Sequence, residues 1–245
     1  MVEQAARGAT VLGVVGGSGG VGASTFAAVL AAGAQRAVLV DLDGVGGGID
    51  VLLGIEAVPG ARWSQVRLGG GHLDPDLLAA GLPRWGPVPV LAADAGAPPP
   101  TSVGTVLDAA GELGTVVVNL PRGPCATRDA ALSRCAVVIV VAVASVAGLA
   151  AARAVVAALP EVPAGLVVRR GAVTPAESGR LVGAALMGVA PRFSGRRLGT
   201  HCDRPLHPSR LPVPLVRVAA GLLDGIQTPE ARGLPSAASG GRGTR

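Results

Sequence analysis

Lysine and tyrosine are both missing from this 245-residue chain, and only two Phe and two Trp occur. All 21 basic residues are therefore arginine. With aromatics at 2% and apolar residues at 49%, Ala, Val, Leu and Gly must fill the core. Small side chains let helices approach a sheet closely, which suits packed α/β layers. The formal charge of +5 is carried by scattered arginines, paired only at Arg169-Arg170 and Arg196-Arg197. No aromatics interleave with them and no nucleic-acid-binding motif is present, so sequence-specific nucleic-acid recognition is not expected. Weak attraction to anionic lipid or polyphosphate stays open.

Cysteine is scarce too: Cys125, Cys135 and Cys202 are odd in number and lack paired metal spacing. The first ten residues hold Glu3 and Arg7 and no long apolar run, so no signal peptide is expected and a cytoplasmic setting is. His201-Cys202-Asp203 with His207 reads as a Pro-rich polar loop rather than a metal site. Charge is also absent from Cys135 to Ala152, a run as long as a membrane span. Its first part is rich in β-branched residues and its second in alanine. A buried parallel strand followed by its crossover helix gives the same hydropathy, and that reading is preferred.

Strands and helices alternate along the rest. Strands are expected at Thr10–Val15, Ala37–Leu42, Val88–Ala92, Val116–Leu120, Val137–Val143 and Leu166–Arg169. Helices are expected at Ser24–Ala32, near Ile49–Leu53, and at Leu73–Leu82, Pro100–Leu113, Ala126–Arg134, Val146–Leu159, Pro175–Leu186 and Pro214–Ile226. Such βαβα alternation predicts an α/β domain, its mostly parallel sheet flanked by helices on both faces. One domain is expected over residues 9–227, between a tail at 1–8 and a disordered tail at 228–245. Ligands of such sheets bind at the carboxyl ends of the strands.

At the first of those ends lies Gly17-Ser18-Gly19-Gly20-Val21-Gly22-Ala23-Ser24-Thr25. A phosphate-binding loop reads Gly, four residues, Gly, Lys, then Ser or Thr. Gly17, Gly22 and Ser24 fit, but Ala23 holds the lysine position. Gly17, Gly19 and Gly22 also satisfy Gly-x-Gly-x-x-Gly, with an acid ending the next strand, so an NAD-binding Rossmann oxidoreductase is a rival. Ser24 and Thr25 favour the phosphate loop, because they put hydroxyls where Mg²⁺ needs an oxygen. The second strand ends Asp41-Leu-Asp43 rather than in one acid, and no later stretch offers an evident hydride-transfer base.

Together with Leu39-Val-Asp-Leu-Asp43 and Ile49-Asp-Val-Leu-Leu-Gly-Ile-Glu56, this loop resembles the MinD/ParA ATPases with a deviant Walker A motif (the SIMIBI class). Gly60-Ala-Arg-Trp63, Leu82-Pro83 and Asn119-Leu-Pro-Arg122 look most like the actinobacterial CpaE-like members. Those are found beside pilus-assembly and secretion genes and are sometimes named septum-site-determining proteins. The resemblance spans roughly residues 9–226. It implies a P-loop fold binding ATP and Mg²⁺ on residues 17–25, with Ser24 facing the metal. Asp41 would hold metal-bound water and Asp43 would orient the attacking water. It also implies protein partners in pilus, secretion or division machinery, a homodimer, and peripheral contact with the inner face of the membrane. Many CpaE-like proteins carry an N-terminal receiver-like domain, which is not expected in a chain whose first strand starts near residue 10.

The carry-over is partial. The superfamily's lysines fall at Ser18, which would reach across a dimer, and at Ala23. Its Walker B acid falls at Asn119, and no adenine-reading Asn lies near Arg169-Arg170. A helix N-terminus still attracts phosphate without lysine, by up to about 2 kcal/mol. Turnover suffers more, since losing one donor to the transition state costs about 10²–10³ in rate. A degenerate site with at most weak ATPase activity is expected, the alternative being a slow ATPase using arginines such as Arg122. The last helix spaces Leu215, Val218, Leu222, Leu223 and Ile226 on one face but carries one arginine, which favours core packing over a membrane tether.

Overall fold

The computed structural model describes residues 10–45, 47–68, 71–94, 98–191 and 205–227. Both predicted tails, Arg196-Arg197 and His201-Cys202-Asp203 lie outside the described residues.

Eight strands form one sheet in the order β3-β4-β2-β5-β1-β6-β7-β8. These are β1 (Val11–Gly16), β2 (Ala37–Asp41), β3 (Arg84–Trp85), β4 (Val88–Leu91), β5 (Thr115–Asn119), β6 (Val137–Val143), β7 (Ala164–Arg169) and β8 (Ala185–Ala190). Every neighbouring pair is parallel except β3 with β4, a short antiparallel hairpin at one edge. Among the described residues the helices are α1 (Ala23–Gly33), α2 (Ile49–Leu53), α3 (Pro75–Gly81), α4 (Pro100–Leu113), α5 (Ala126–Leu132), α6 (Val146–Ala157), α7 (Pro175–Val182) and α8 (Val213–Gln227).

Strand alternation divides the core between the two faces of the sheet. Val11, Val15, Val38, Val40, Val116 and Val118 pack with Val103 and Leu107 of α4 and Leu149 of α6. Leu12, Val14, Leu39, Val117 and Ile139 pack with Phe26 and Leu30 of α1 and with Leu215 and Leu222 of α8. Because both faces are covered, the central strands are apolar at consecutive positions rather than alternating with polar residues. Ala27, Ala28 and Ala31 are fully buried, so α1 lies close on the sheet, as the shortage of large side chains requires.

The uncharged stretch after Cys135 is β6 followed by α6, the buried pair that the β-branched-to-alanine switch indicates. No helix among the described residues is long and apolar enough to cross a membrane. The terminal helix α8 buries Leu215, Ala219, Leu222 and Leu223 in the core. Two strands, β3 and β8, depart from expectation. The helix expected over Pro175–Leu186 stops at Val182, because Gly183 turns left-handed with φ 74 and its N–H caps the Gly179 carbonyl. The chain then runs as β8, whose Met187 and Gly188 disguise a strand.

Candidate functional site

Register brings three strand ends side by side. Asp41 of β2 lies opposite Asn119 of β5, and Asn119 lies opposite Val14 of β1. The glycine loop that follows β1 therefore leaves the sheet next to the acid at the end of β2.

The loop is anchored at its base. The Gly17 N–H donates to the Val141 carbonyl of β6 at 2.8 Å. A Cβ on Gly17 would come within 2.9 Å of the Ala152 Cβ, so α6 can lie this close only to glycine. Val21 turns inward and is buried, while the Arg169 Nη1 donates to its carbonyl at 3.1 Å. Gly20 and Gly22 take φ of 70 and 90, the left-handed region that a side chain disfavours, and both face open space.

Gly22 caps α1 with no side chain, and the first turn contains no acid. Side chains cap α3 (Asp74), α6 (Ser145) and α7 (a Thr174/Glu177 capping box), whereas α2, α4 and α5 share the lack of a side-chain cap with α1. The leading N–H groups of α1 are thus left for something other than the protein's own side chains. Ser18, Ala23, Ser24 and Thr25 are half-buried around this opening and Gly19 is exposed. Neither the Ser24 nor the Thr25 hydroxyl bonds to another described residue.

The acid side is organised differently. Asp41 is 1% exposed, and both of its carboxylate oxygens are engaged inside the protein. One accepts from Asn119 Nδ2 at 2.7 Å and from the Asp43 N–H at 3.1 Å. The other accepts from the Ile49 N–H at 3.2 Å. Its backbone carbonyl accepts from Trp63 Nε1 at 2.8 Å. Burial pushes the Asp41 carboxyl up to about 6, against the pull of these donors, so it is mostly ionised at neutral pH. Asp43 is half-buried, and its own carboxylate accepts from the Val45 N–H at 3.3 Å.

Support comes from the Gly60–Trp63 segment. The largely buried Arg62 pairs with Asp50 at 3.3 Å and donates to the Gly60 and Ile55 carbonyls, both at 2.9 Å. It thereby fastens α2 to the loop that carries Trp63 beneath Asp41. Sequence reading identifies Asp41 and Asn119 separately. That the amide of one serves the carboxylate of the other depends on strand register, which no local pattern states.

Arg122, the arginine that the sequence offers as a replacement cation, lies over the loop of its own chain. Its Nη1 is 3.4 Å from the point where a Cβ on Gly19 would sit. Its carbonyl accepts from Nη1 of Arg128 at 3.0 Å, and Arg128 is 1% exposed. The Arg122 guanidinium itself is exposed and makes no hydrogen bond or ion pair among the described residues.

For a phosphate chain the loop fits: two glycines hold the left-handed turn, no Cβ would obstruct either, and the helix end is uncapped. For Mg²⁺ the donor set does not fit. The Ser24 hydroxyl is available, but Asp41 is turned inward and Asn119 is neutral. Among the described residues no three His, Cys, Asp or Glu side chains gather as a metal-ligand group.

No protein-family model matches the chain. Uncharacterized proteins from two strains of Mycobacterium tuberculosis are 41% identical to it over 169 residues, covering 65% of this chain and 47% of theirs. The chain thus spans about half the length of these curated relatives. Solved structures are similar over most of its length. A MinD cell division ATPase of Pyrococcus furiosus gives a TM-score of 0.66 at 18% identity, covering 88% of this chain and 99% of that one. A ParA family ATPase of Chlorobium tepidum gives 0.64 at 14%, covering 93% and 96%. This is the MinD/ParA P-loop fold. The septum site-determining protein MinD of Pyrococcus horikoshii, complexed with Mg-ADP, gives 0.62 at 18%, covering 89% and 96%. At these identities the likeness concerns the fold, and the chemistry has to be read from this chain's own residues.

Proposed function

We propose that this chain is a MinD/ParA-type scaffold acting through protein partners, with a phosphate loop that holds nucleotide weakly and turns it over slowly or not at all. Its role is that of a spatial or assembly factor, for Tad-type pilus and secretion machinery or for septum-site placement, at the inner face of the membrane. The resemblance of Gly60–Trp63 and Asn119–Arg122 to CpaE-like proteins supports the pilus and secretion side. A homodimer across the loop face is part of this reading, without the lysine that Ser18 replaces.

One observation carries it: the loop keeps the backbone of a phosphate site while both lysine positions, Ser18 and Ala23, are uncharged. Transition-state charge on a transferring phosphoryl group needs fixed cations nearby, and each one missing costs about 10²–10³ in rate. The roles of Gly17–Thr25 as phosphate cradle, Ser24 and Asp41 as metal ligands and Asp43 as water-orienting residue belong to the superfamily. In this chain only the first is supported by geometry.

The test is phosphate release from ATP by wild type and by Gly22→Val, with Ala23→Glu as a variant that leaves the left-handed turn intact. Equal, near-background rates in all three are expected. A wild-type rate well above background that both substitutions abolish overturns this reading in favour of an ATPase relying on arginine.

A further inference from the structure

We infer that Arg122 supplies, from within the same chain, the positive charge that the loop lacks, and that nucleotide phosphate binds there without Mg²⁺. The inference rests on the reading of residues 17–25 as a phosphate loop and adds to it the cation and the absence of a metal.

The first support is position. With Nη1 3.4 Å from the Gly19 Cβ position, the Arg122 guanidinium stands over the exposed crest of the loop. Glycine at 19 leaves that approach open. Of the arginines at this edge, Arg169 is occupied by the Val21 carbonyl and braces the loop from below. The Arg122 guanidinium makes no hydrogen bond or ion pair with a described residue. Its backbone is fixed by the buried Arg128, so the side chain starts from a held point rather than from a loose loop. A planar guanidinium presents paired donors matched to phosphate oxygens, and it stays charged at every physiological pH.

The second support is the fate of the acids. Mg²⁺ in such sites keeps several waters and is bound through substrate phosphates together with one or two carboxylates. Three N–H groups already occupy the Asp41 carboxylate, and the neighbouring position offers the Asn119 amide in place of a second charge. With Asp41 held by its own donors, the loop offers a metal little beyond the Ser24 hydroxyl and favours the metal-free phosphate chain. Mg²⁺ bound to that chain in solution competes with Arg122 for the same oxygens.

ATP binding is measured by calorimetry on the full chain, in EDTA and in excess MgCl₂, for wild type, Arg122→Ala, Arg180→Ala, Gly22→Val and Ala23→Glu. Melting by circular dichroism confirms that each variant folds. Wild type is expected to bind as tightly or more tightly in EDTA. Arg122→Ala is expected to weaken binding about tenfold or more, while Arg180→Ala, an exposed arginine of α7, leaves it unchanged. Binding that is lost in Ala23→Glu but unchanged in Arg122→Ala overturns the inference and leaves the phosphate-loop reading standing. Tightening by Mg²⁺ overturns the metal-free part in the same way. No wild-type binding, or binding indifferent to both Gly22→Val and Ala23→Glu, overturns the reading and the inference together.

Discussion

The glycine loop and the acid cluster sit on adjacent strand ends, yet they have opposite relations to solvent. The loop turns its backbone outward: left-handed Gly20 and Gly22, an uncapped α1 and idle hydroxyls at Ser24 and Thr25. The cluster turns inward, so that Asp41, Asn119, Ile49 and Trp63 satisfy one another. One region has an open turn and no charged side chain. The other has kept a charge and uses it to tie β2, β5 and α2 together. The lesson is that neighbouring strand ends can differ in separable ways, because backbone geometry and side-chain electrostatics are set by different residues.

Substitutions that force each region to behave like the other test this contrast. The largest effect is expected from Asn119→Asp, which replaces the donor to Asp41 with a second carboxylate at the same buried position. Breaking a buried polar pair in this way costs about 3–5 kcal/mol at neutral pH, read from urea unfolding. The sign of its pH dependence follows from Asp41, whose folded pKa of about 6 exceeds its ordinary 3.8. The folded state then holds the proton more tightly than the unfolded one. Stability from this group is greatest at low pH and falls as pH rises from about 4 to about 6, then levels off. Asn119→Asp raises the folded pKa further, so its deficit is expected to shrink when the pH is lowered to 5. A deficit that grows in acid contradicts the inward arrangement.

A smaller effect is expected in the loop. Gly17→Ala pushes a methyl to 2.9 Å from the Ala152 Cβ and 3.0 Å from its Cα, so α6 has to shift. Overpacking of this kind costs about 1–3 kcal/mol, seen as a lower urea midpoint. A neutral result means that Gly17 is dispensable for seating the loop on α6.

Much of this fold is legible in the sequence because its central strands are unbroken β-branched runs. Val137–Val143 falls as expected, and Thr115–Asn119 differs by one residue at each end. The misses have local causes. Arg84–Trp85 is too short to show a period. Apolar residues at Leu181, Val182, Leu186 and Met187 continue a helical pattern that Gly183 ends. At the site, Gly17–Thr25 is readable because the loop is contiguous in sequence. The Asn119–Asp41 bond joins residues 78 apart, and Arg122 reaches Gly19 across more than a hundred. Such placements come from register and packing, which a single sequence does not spell out. The Gly60–Trp63 segment is legible as a resemblance, but only the contacts show that Arg62 and Trp63 brace the turn beneath Asp41.

The central claim is that phosphate is held by backbone N–H groups and Arg122, while Asp41 stays bonded to Asn119. A crystal structure grown with ADP and Mg²⁺ tests it most directly. The expected result is the diphosphate on the α1 terminus with Arg122 on its oxygens, the Asp41–Asn119 bond intact and no metal between Ser24 and Asp41. A magnesium ion on Ser24, with Asp41 released from Asn119 to meet it, would contradict the claim.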